Sequence, residues 1–358
     1  MGDLQGDATG VGLQDRAAEV IDREIEALLG EVDGEAPLLP RMVGYHLGLF
    51  DEDGSPVPVV ERHRLQGKRL RSTVALLACA AAGGEIEQAA PLAAAIEFLH
   101  NFTLVHDDIQ DRSPTRRHRQ TVWRIWGDAQ AINAGDALFA AAQIGLLNTA
   151  SPHISADHLL TVSRAFNRMT IDIVRGQVLD LGFEGRGDVS VDAYLTMIEG
   201  KTAAIVQFAA WAGALVGGAD IATARQYGAF GRALGFGFQI RDDALGVWGT
   251  ADATGKDPAD DIRRRKQSLP VILLRAAASA THRNTLDRMF ASDRLGEEEV
   301  MTVLSMMEAY DIPRQVEELV RAWHDEAVAT IDALSANAEP RAIDSLRHLT
   351  DRMAVRSG

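Results

Sequence analysis

The chain of 358 residues is 46% hydrophobic but only 6% aromatic, and its apolar content is largely alanine and leucine, a balance that favours helix over sheet. Its formal charge of -15 excludes nucleic acid as a general partner, which needs a basic footprint, but not a small anionic substrate met by local cations or metal ions. One cysteine, Cys79, excludes an internal disulfide; in its alanine-rich run it reads as a small buried hydrophobe.

In chain order, residues 1–12 are polar and glycine-bearing, without the basic and apolar regions of a signal peptide, and read as a disordered tail. Apolar residues at helical spacing then predict helices over 13–29, 72–82, 86–110, 133–149, 156–181, 191–216, 219–248, 269–280, 297–309 and 313–334, and one more near the C-terminus. Between them, 51–58, 112–119, 182–188 and 249–266 carry the glycine, proline and charge of loops. The most apolar stretch, 203–218, is interrupted by Gln207 and shorter than the about 20 residues a bilayer needs. It reads as the central member of a helical bundle, so no transmembrane segment and a cytoplasmic protein are expected. No shift in composition marks a boundary. One all-α domain over 13–358 is the simplest organisation.

Chemistry gathers at two acidic sites. In LVHDDIQD, Asp107 and Asp111 stand one helical turn apart with Asp108 beside them, at the end of a long apolar run. Three carboxylates so close repel one another unless a cation neutralises them, and hard oxygens on a helix suit magnesium. In FQIRDD, the helix end around Ile240 delivers Asp242 and Asp243, where the partial negative charge of a helix C-terminus again calls for a cation. Basic residues attend both: Lys68, Arg69 and Arg71 at the start of an apolar helix, Arg116 and Arg117 after the first acids, Lys201 before the most apolar helix, and Lys256 and Lys266 after the second acids. Alone, an acidic pair reads equally as a solvated helix end, and GKRLR as surface charge. Together they point to a diphosphate held between metal ions and bases.

These residues resemble the trans-isoprenyl diphosphate synthases, or polyprenyl synthetases. The likeness runs over 67–270 through GKRLR, HDDIQD, RR, GDALF, GQVLDL, GKTA, FQIRDD and GKDPADDIRRRKQSLP, in that order. The resemblance implies a single large all-α bundle around a deep central cavity (the isoprenoid synthase fold), assembled as a homodimer. It implies condensation of isopentenyl diphosphate with dimethylallyl, geranyl or farnesyl diphosphate by magnesium-assisted ionisation. Asp107, Asp108 and Asp111 match the first aspartate-rich motif, with Asp107 and Asp111 the more direct magnesium ligands. Asp242 and Asp243 match the second, with Asp242 the direct ligand of a third ion. Arg116, Lys201 and Lys256, with Lys266 nearby, would hold the allylic diphosphate; Lys68, Arg71, His100 and Arg117 would hold that of isopentenyl diphosphate. Thr202 and Gln239 fall where the family places polar groups near the allylic cation, and Gln177 and Asp180 line the same cavity.

Two departures stand out. The second motif, usually DDxxD, ends in Gly246, and the glycine that usually follows the paired arginines is His118. Phe102, five residues before Asp107, is the one aromatic close to the motif on that side, with small Thr103 beside it. In the family that pattern resembles geranylgeranyl diphosphate synthases, with farnesyl synthases next; the alternative is that Phe102 is ordinary core. A class I terpene cyclase would carry an Asn/Ser/Glu metal motif in place of Asp242 and Asp243 and would not need GKRLR. A non-catalytic partner subunit would be expected to lose the first motif.

Overall fold

A computed structural model describes residues 10–150, 154–250, 258–291 and 295–354. Lys256 and most of the expected tail lie outside the described residues; the first helix already begins at Gly10, inside the stretch assigned to that tail. Contacts group the chain into two compact units. One comprises Met1–Phe166, Ala209–Gly228 and Leu334–Leu346, the other Asn167–Phe208, Ala229–Ala333 and Arg347–Gly358.

The first unit contains α1 (Gly10–Leu29), α2 (Leu38–His46), α3 (Val59–Leu65), α4 (Leu70–Ala81) and α5 (Ala90–Gln110). After a two-stranded hairpin, β1 (Thr115–Arg116) and β2 (Arg119–Gln120), come α6 (Val122–Trp126), α7 (Asp128–Leu147) and the start of α8 (Ala156–Phe183). Proline in its first turn starts α5, which packs on α1, α4 and α7. Alanine and leucine make this core, with Leu76, Leu77, Leu92 and Phe98 fully buried. Close approach of backbones explains the small residues. A Cβ at Gly213 or Gly217 would lie 2.1 or 2.3 Å from the carbonyl oxygens of Ala75 and Cys79 on α4. Cys79 is buried as expected, and burial pushes its thiol up to about 12, so it stays protonated.

The hairpin was expected only as a basic loop. Its two turn residues, Arg117 and His118, have φ of 51° and 63°, the left-handed pair of a tight hairpin turn in which glycine is favoured. The histidine in the family's glycine position therefore keeps the loop geometry at a conformational cost. His118→Gly is expected to raise stability by about 0.5–1 kcal/mol, the left-handed penalty less the glycine's own chain entropy. Urea unfolding checks this; an unchanged midpoint would show that the turn is unstrained.

The second unit contains α9 (Val191–Ile198), a π-helical segment over Glu199–Ala203, the first part of α10 (Ala204–Val216) and most of α11 (Ile221–Trp248). Beyond it follow α12 (Asp260–Arg263), α13 (Leu269–Ala277), α14 (Ala280–Phe290), α15 (Glu297–Ala309), α16 (Ile312–Leu334) and the end of α17 (Pro340–Ala354). Its core joins Ile240, Leu269, Ile272, Leu286 and Val303 with Phe236, whose ring stacks on Trp323 at 4.3 Å. The expected single helix 191–216 is thus interrupted at Glu199–Ala203, where Lys201 and Thr202 sit. A Cβ at Gly176 of α8 would lie 2.3 Å from the Lys201 nitrogen, and one at Gly200 2.6 Å from the Asp172 oxygen. Both glycines are needed for the widened turn to lie against α8.

Every passage between the units falls inside a helix: α8, α10, α11, α16 or α17. That is why no linker composition marks a boundary in the sequence.

Candidate active site

In the first unit, α5 ends on the first acidic cluster, with Asp111 as its C-cap residue donating its N–H to the Asp107 carbonyl at 2.8 Å. The three acids are not equivalent. Asp108 is 2% exposed and held by Arg116, whose Nε donates to both carboxylate oxygens at 2.9 Å while an Nη lies 2.8 Å from Oδ1. Burial pushes the Asp108 carboxyl up, against the opposing pull of Arg116. Asp107 is half-buried and Asp111 exposed, one turn apart on the same helix face.

The basic residues assigned to isopentenyl diphosphate also belong to this unit. Gly67 and Arg69 take left-handed conformations just before α4, so Lys68 lies in an irregular, exposed segment and Arg71 in the first helical turn. Arg117 donates to the Leu65 carbonyl at 3.0 Å and lies 3.0 Å from where a Gly67 Cβ would stand. Burial, then Arg116 beside it, lowers the Arg117 guanidinium to about 10. His100 is held well below the ordinary imidazole value by burial and by the charges of Arg71, Arg117 and Arg116. Sequence reasoning passed over Glu97, 3% exposed, which accepts from Ser72 Oγ at 2.8 Å and whose charge acts on Arg117. A lone carboxylate inside the apolar run AAAIEFLH was the available signal.

Phe102 and Thr103 lie on the same helix. The Phe102 ring meets His106 edge-on at 4.8 Å and Phe139 of α7 at 5.3 Å. A Cβ at Gly135 would strike the His106 ring at 2.3 Å, so that glycine admits the imidazole between the helices.

The second unit repeats the inequality of the first. Asp243 is 2% exposed, and its carboxylate accepts from Tyr194 OH at 2.7 Å, Gln239 Nε2 at 2.9 Å and the Leu269 N–H at 3.0 Å, with Lys266 Nζ at 3.7 Å. Asp242 is half-buried. The helix does not end at this pair, as the sequence suggested, but runs on to Trp248. The helix-end charge fades within the last turn, so it is these donors and Lys266 that stabilise Asp243. Thr202 Oγ1 donates to Gln239 Oε1 at 2.7 Å, joining both to the Asp243 network. Lys201 and Asp180 are paired at 2.6 Å, and Gln177 is half-buried on the same stretch of α8. Asp261, then Asp243, Asp180 and Asp242, hold the Lys266 ammonium well above the ordinary lysine range against the cost of burial.

Gly246 has a structural counterpart that the sequence did not reveal. A Cβ there would lie 2.5 Å from Oδ2 and 2.9 Å from Oδ1 of Asp261, a residue 5% exposed on α12. A carboxylate from ADDIRRRK therefore fills the space beside the position where the family pattern has its third acid.

Among the described residues no three His, Cys, Asp or Glu side chains form a ready-made metal cage. What they offer is one half-buried carboxylate at each site, Asp107 with the exposed Asp111 at the first and Asp242 at the second, each braced by a buried neighbour. That donor set fits magnesium, which binds through one or two carboxylates and completes its shell with water and substrate phosphate.

The sequence pattern of the polyprenyl synthetase family matches residues 59–307, and the chain belongs to that family; it is a trans-prenyltransferase. Among relatives, it is 42% identical over 255 residues to a (2E,6E)-farnesyl diphosphate synthase of Mycobacterium tuberculosis, covering 71% of this chain and 67% of that one. A geranylgeranyl diphosphate synthase of the same organism is also 42% identical, over 234 residues, 65% of this chain and 64% of the other. Among solved structures, a polyprenyl synthetase from Streptomyces coelicolor superposes with a TM-score of 0.84 at 34% identity, covering 96% and 99% of the two chains. A polyprenyl synthase from Caulobacter crescentus, complexed with calcium and isoprenyl diphosphate, does so at 0.80 and 26%, covering 99% of each. The fold is thus the all-α isoprenoid synthase fold, and the family uses divalent metal ions. Among the described residues no helix is long and apolar enough to cross a membrane.

Proposed function

We propose that the chain condenses isopentenyl diphosphate with dimethylallyl, geranyl or farnesyl diphosphate by magnesium-assisted ionisation, and that its product is geranylgeranyl diphosphate. One observation carries the reading of the acids: in both aspartate pairs the second carboxylate is buried and saturated by protein donors, while the first is half-buried. Asp107, Asp111 and Asp242 are then the magnesium ligands, and Asp108 and Asp243 are positioning acids that brace the end of α5, the α11 segment around Asp242 and the cations beside them.

Magnesium on the diphosphate oxygens would stabilise the negative charge that develops on the leaving group. By the same reading Arg116, Lys201, Lys256 and Lys266 would supply positive charge to the allylic diphosphate, and Lys68, Arg71, His100 and Arg117 would hold that of isopentenyl diphosphate. Thr202 and Gln239, locked to each other and to Asp243, supply oriented dipoles to the allylic cation. The carbon–oxygen bond of the allylic substrate breaks, the π-electrons of isopentenyl diphosphate form the new carbon–carbon bond, and the released proton leaves with the diphosphate. No covalent enzyme intermediate is required. Assembly as a homodimer fits the exposed Ile132, Ile144 and Leu147 on α7.

Phe102, backed by Phe139 and flanked by Thr103, is the steric floor that supports a geranylgeranyl product. The relative named as a farnesyl synthase favours farnesyl diphosphate as the second reading. Offering farnesyl diphosphate as primer with labelled isopentenyl diphosphate separates the two: one further addition is expected, and refusal of that primer would support farnesyl diphosphate as end product. Phe102→Ala is expected to lengthen the products, and an unchanged chain-length profile would refute the floor.

A further inference from the structure

His46 closes α2, and the geometry around it ties that helix end to the basic hairpin. Tyr45 OH donates to the Gln120 carbonyl at 2.8 Å, and Arg119 donates to the Phe50 carbonyl at 2.9 Å with its guanidinium 3.7 Å over the Tyr45 ring. The imidazole thus lies within the electrostatic reach of Arg117, Arg116 and Arg119 of the hairpin and within hydrogen-bonding influence of Asn101 of α5, and it acts in turn on His100. The charge of Arg71 on α4 acts on His100, and that of Glu97 on α5 acts on Arg117. His46 Nε2 is buried and has no hydrogen-bond partner among the described residues; the same holds for Asn101 Oδ1 and Gln66 Nε2. Asn101 is the one neutral side chain that acts on the imidazole by hydrogen bonding, so the Nε2 left unpaired beside the arginines is costly unless water or a ligand meets it.

We propose that His46 is a further binding group for the diphosphate of isopentenyl diphosphate, taking up a proton from solvent as the diphosphate arrives and donating from Nε2 to a phosphate oxygen. The inference rests on the reading of Lys68, Arg71, His100 and Arg117 as that diphosphate's cradle. Without an anion, burial and then Arg117 and Arg116 hold His46 well below its ordinary value, so near neutral pH it is uncharged. A polyanion reverses the sign of that local field, and the C-terminal end of α2 already favours a cationic imidazole. The guanidinium groups nearby and Lys68 set the affinity, and His46 adds a pH-dependent increment.

Calorimetric titration of the metal-free full chain with inorganic diphosphate, in buffers of different ionisation enthalpy at pH 7.5, reads this proton directly. His46→Gln is expected to weaken binding about tenfold and to abolish most of one proton of uptake relative to wild type, with His100→Gln as the comparison. Equal affinity and equal uptake in His46→Gln and wild type would overturn the proposal while leaving the cradle intact. No binding by wild type would overturn the cradle itself, and the proposal with it. Should His46→Gln not fold, long-range 1H–15N spectra of the wild-type imidazoles read the same event. Diphosphate should then convert one neutral imidazole beyond that of His100 to the doubly protonated form, and spectra without that change would overturn the proposal.

Discussion

Asp107→Ala is expected to lower kcat about 1000-fold, the several kcal/mol that one well-placed metal contact contributes to the transition state, with little change in melting temperature. Asp108→Ala should show a different pattern. Its carboxylate is 2% exposed and carries the guanidinium of Arg116, so its loss strands that cation and loosens the end of α5. Stability should fall by about 2 kcal/mol, the low end for a broken buried pair because Arg116 can still be hydrated. Activity should fall with it. Parallel kinetics and urea unfolding of the two variants decide the matter: equal stability losses would remove the distinction between ligand and positioning acid.

The largest expected effect on stability is at Asp243. Asp243→Ala removes the acceptor for Tyr194 OH, Gln239 Nε2 and the Leu269 N–H at once, all in a buried setting. A cost of about 3–5 kcal/mol is expected, because stranded donors pay their full desolvation penalty. Asp243→Asn keeps one carbonyl oxygen and should recover part of it. An Asp243→Ala chain that unfolds at the wild-type urea concentration would show that the network is not what holds this part of the second unit.

Much of this was legible because the long helices carry strong apolar periodicity and the aspartate and lysine motifs stand in order. Most shorter elements were not, although the nine-residue α13 was: α2, α3 and α6 are too short for a helical period to separate from chance, the eleven residues of α14 are mostly polar, and the hairpin turns on Arg117 and His118, residues that do not advertise a left-handed turn. The site residues were assigned by residue type and order, and the ranking within each pair came from the family resemblance alone. Adjacent aspartates look alike as residues; physically they are separated by the partners reached from distant segments, Tyr194 and Leu269 for Asp243 and Arg116 for Asp108.

Gly246 shows the same limit. Read in sequence it is a missing acid; in the fold it is the space that Asp261 occupies. Gly246→Asp, which restores the usual motif, is therefore expected to destabilise the chain by about 2 kcal/mol through steric conflict and like charge. Asp261→Ala in the same chain should recover much of that loss. A Gly246→Asp chain as stable as wild type would show that Asp261 moves aside freely.

The central claim is metal-dependent chain elongation by this protein. Wild-type chain incubated with labelled isopentenyl diphosphate and dimethylallyl diphosphate, with magnesium or with EDTA, tests it most directly by chromatography of the products. Elongated allylic products with magnesium and none with EDTA are predicted; the absence of elongation with magnesium, or equal elongation in EDTA, would contradict the account.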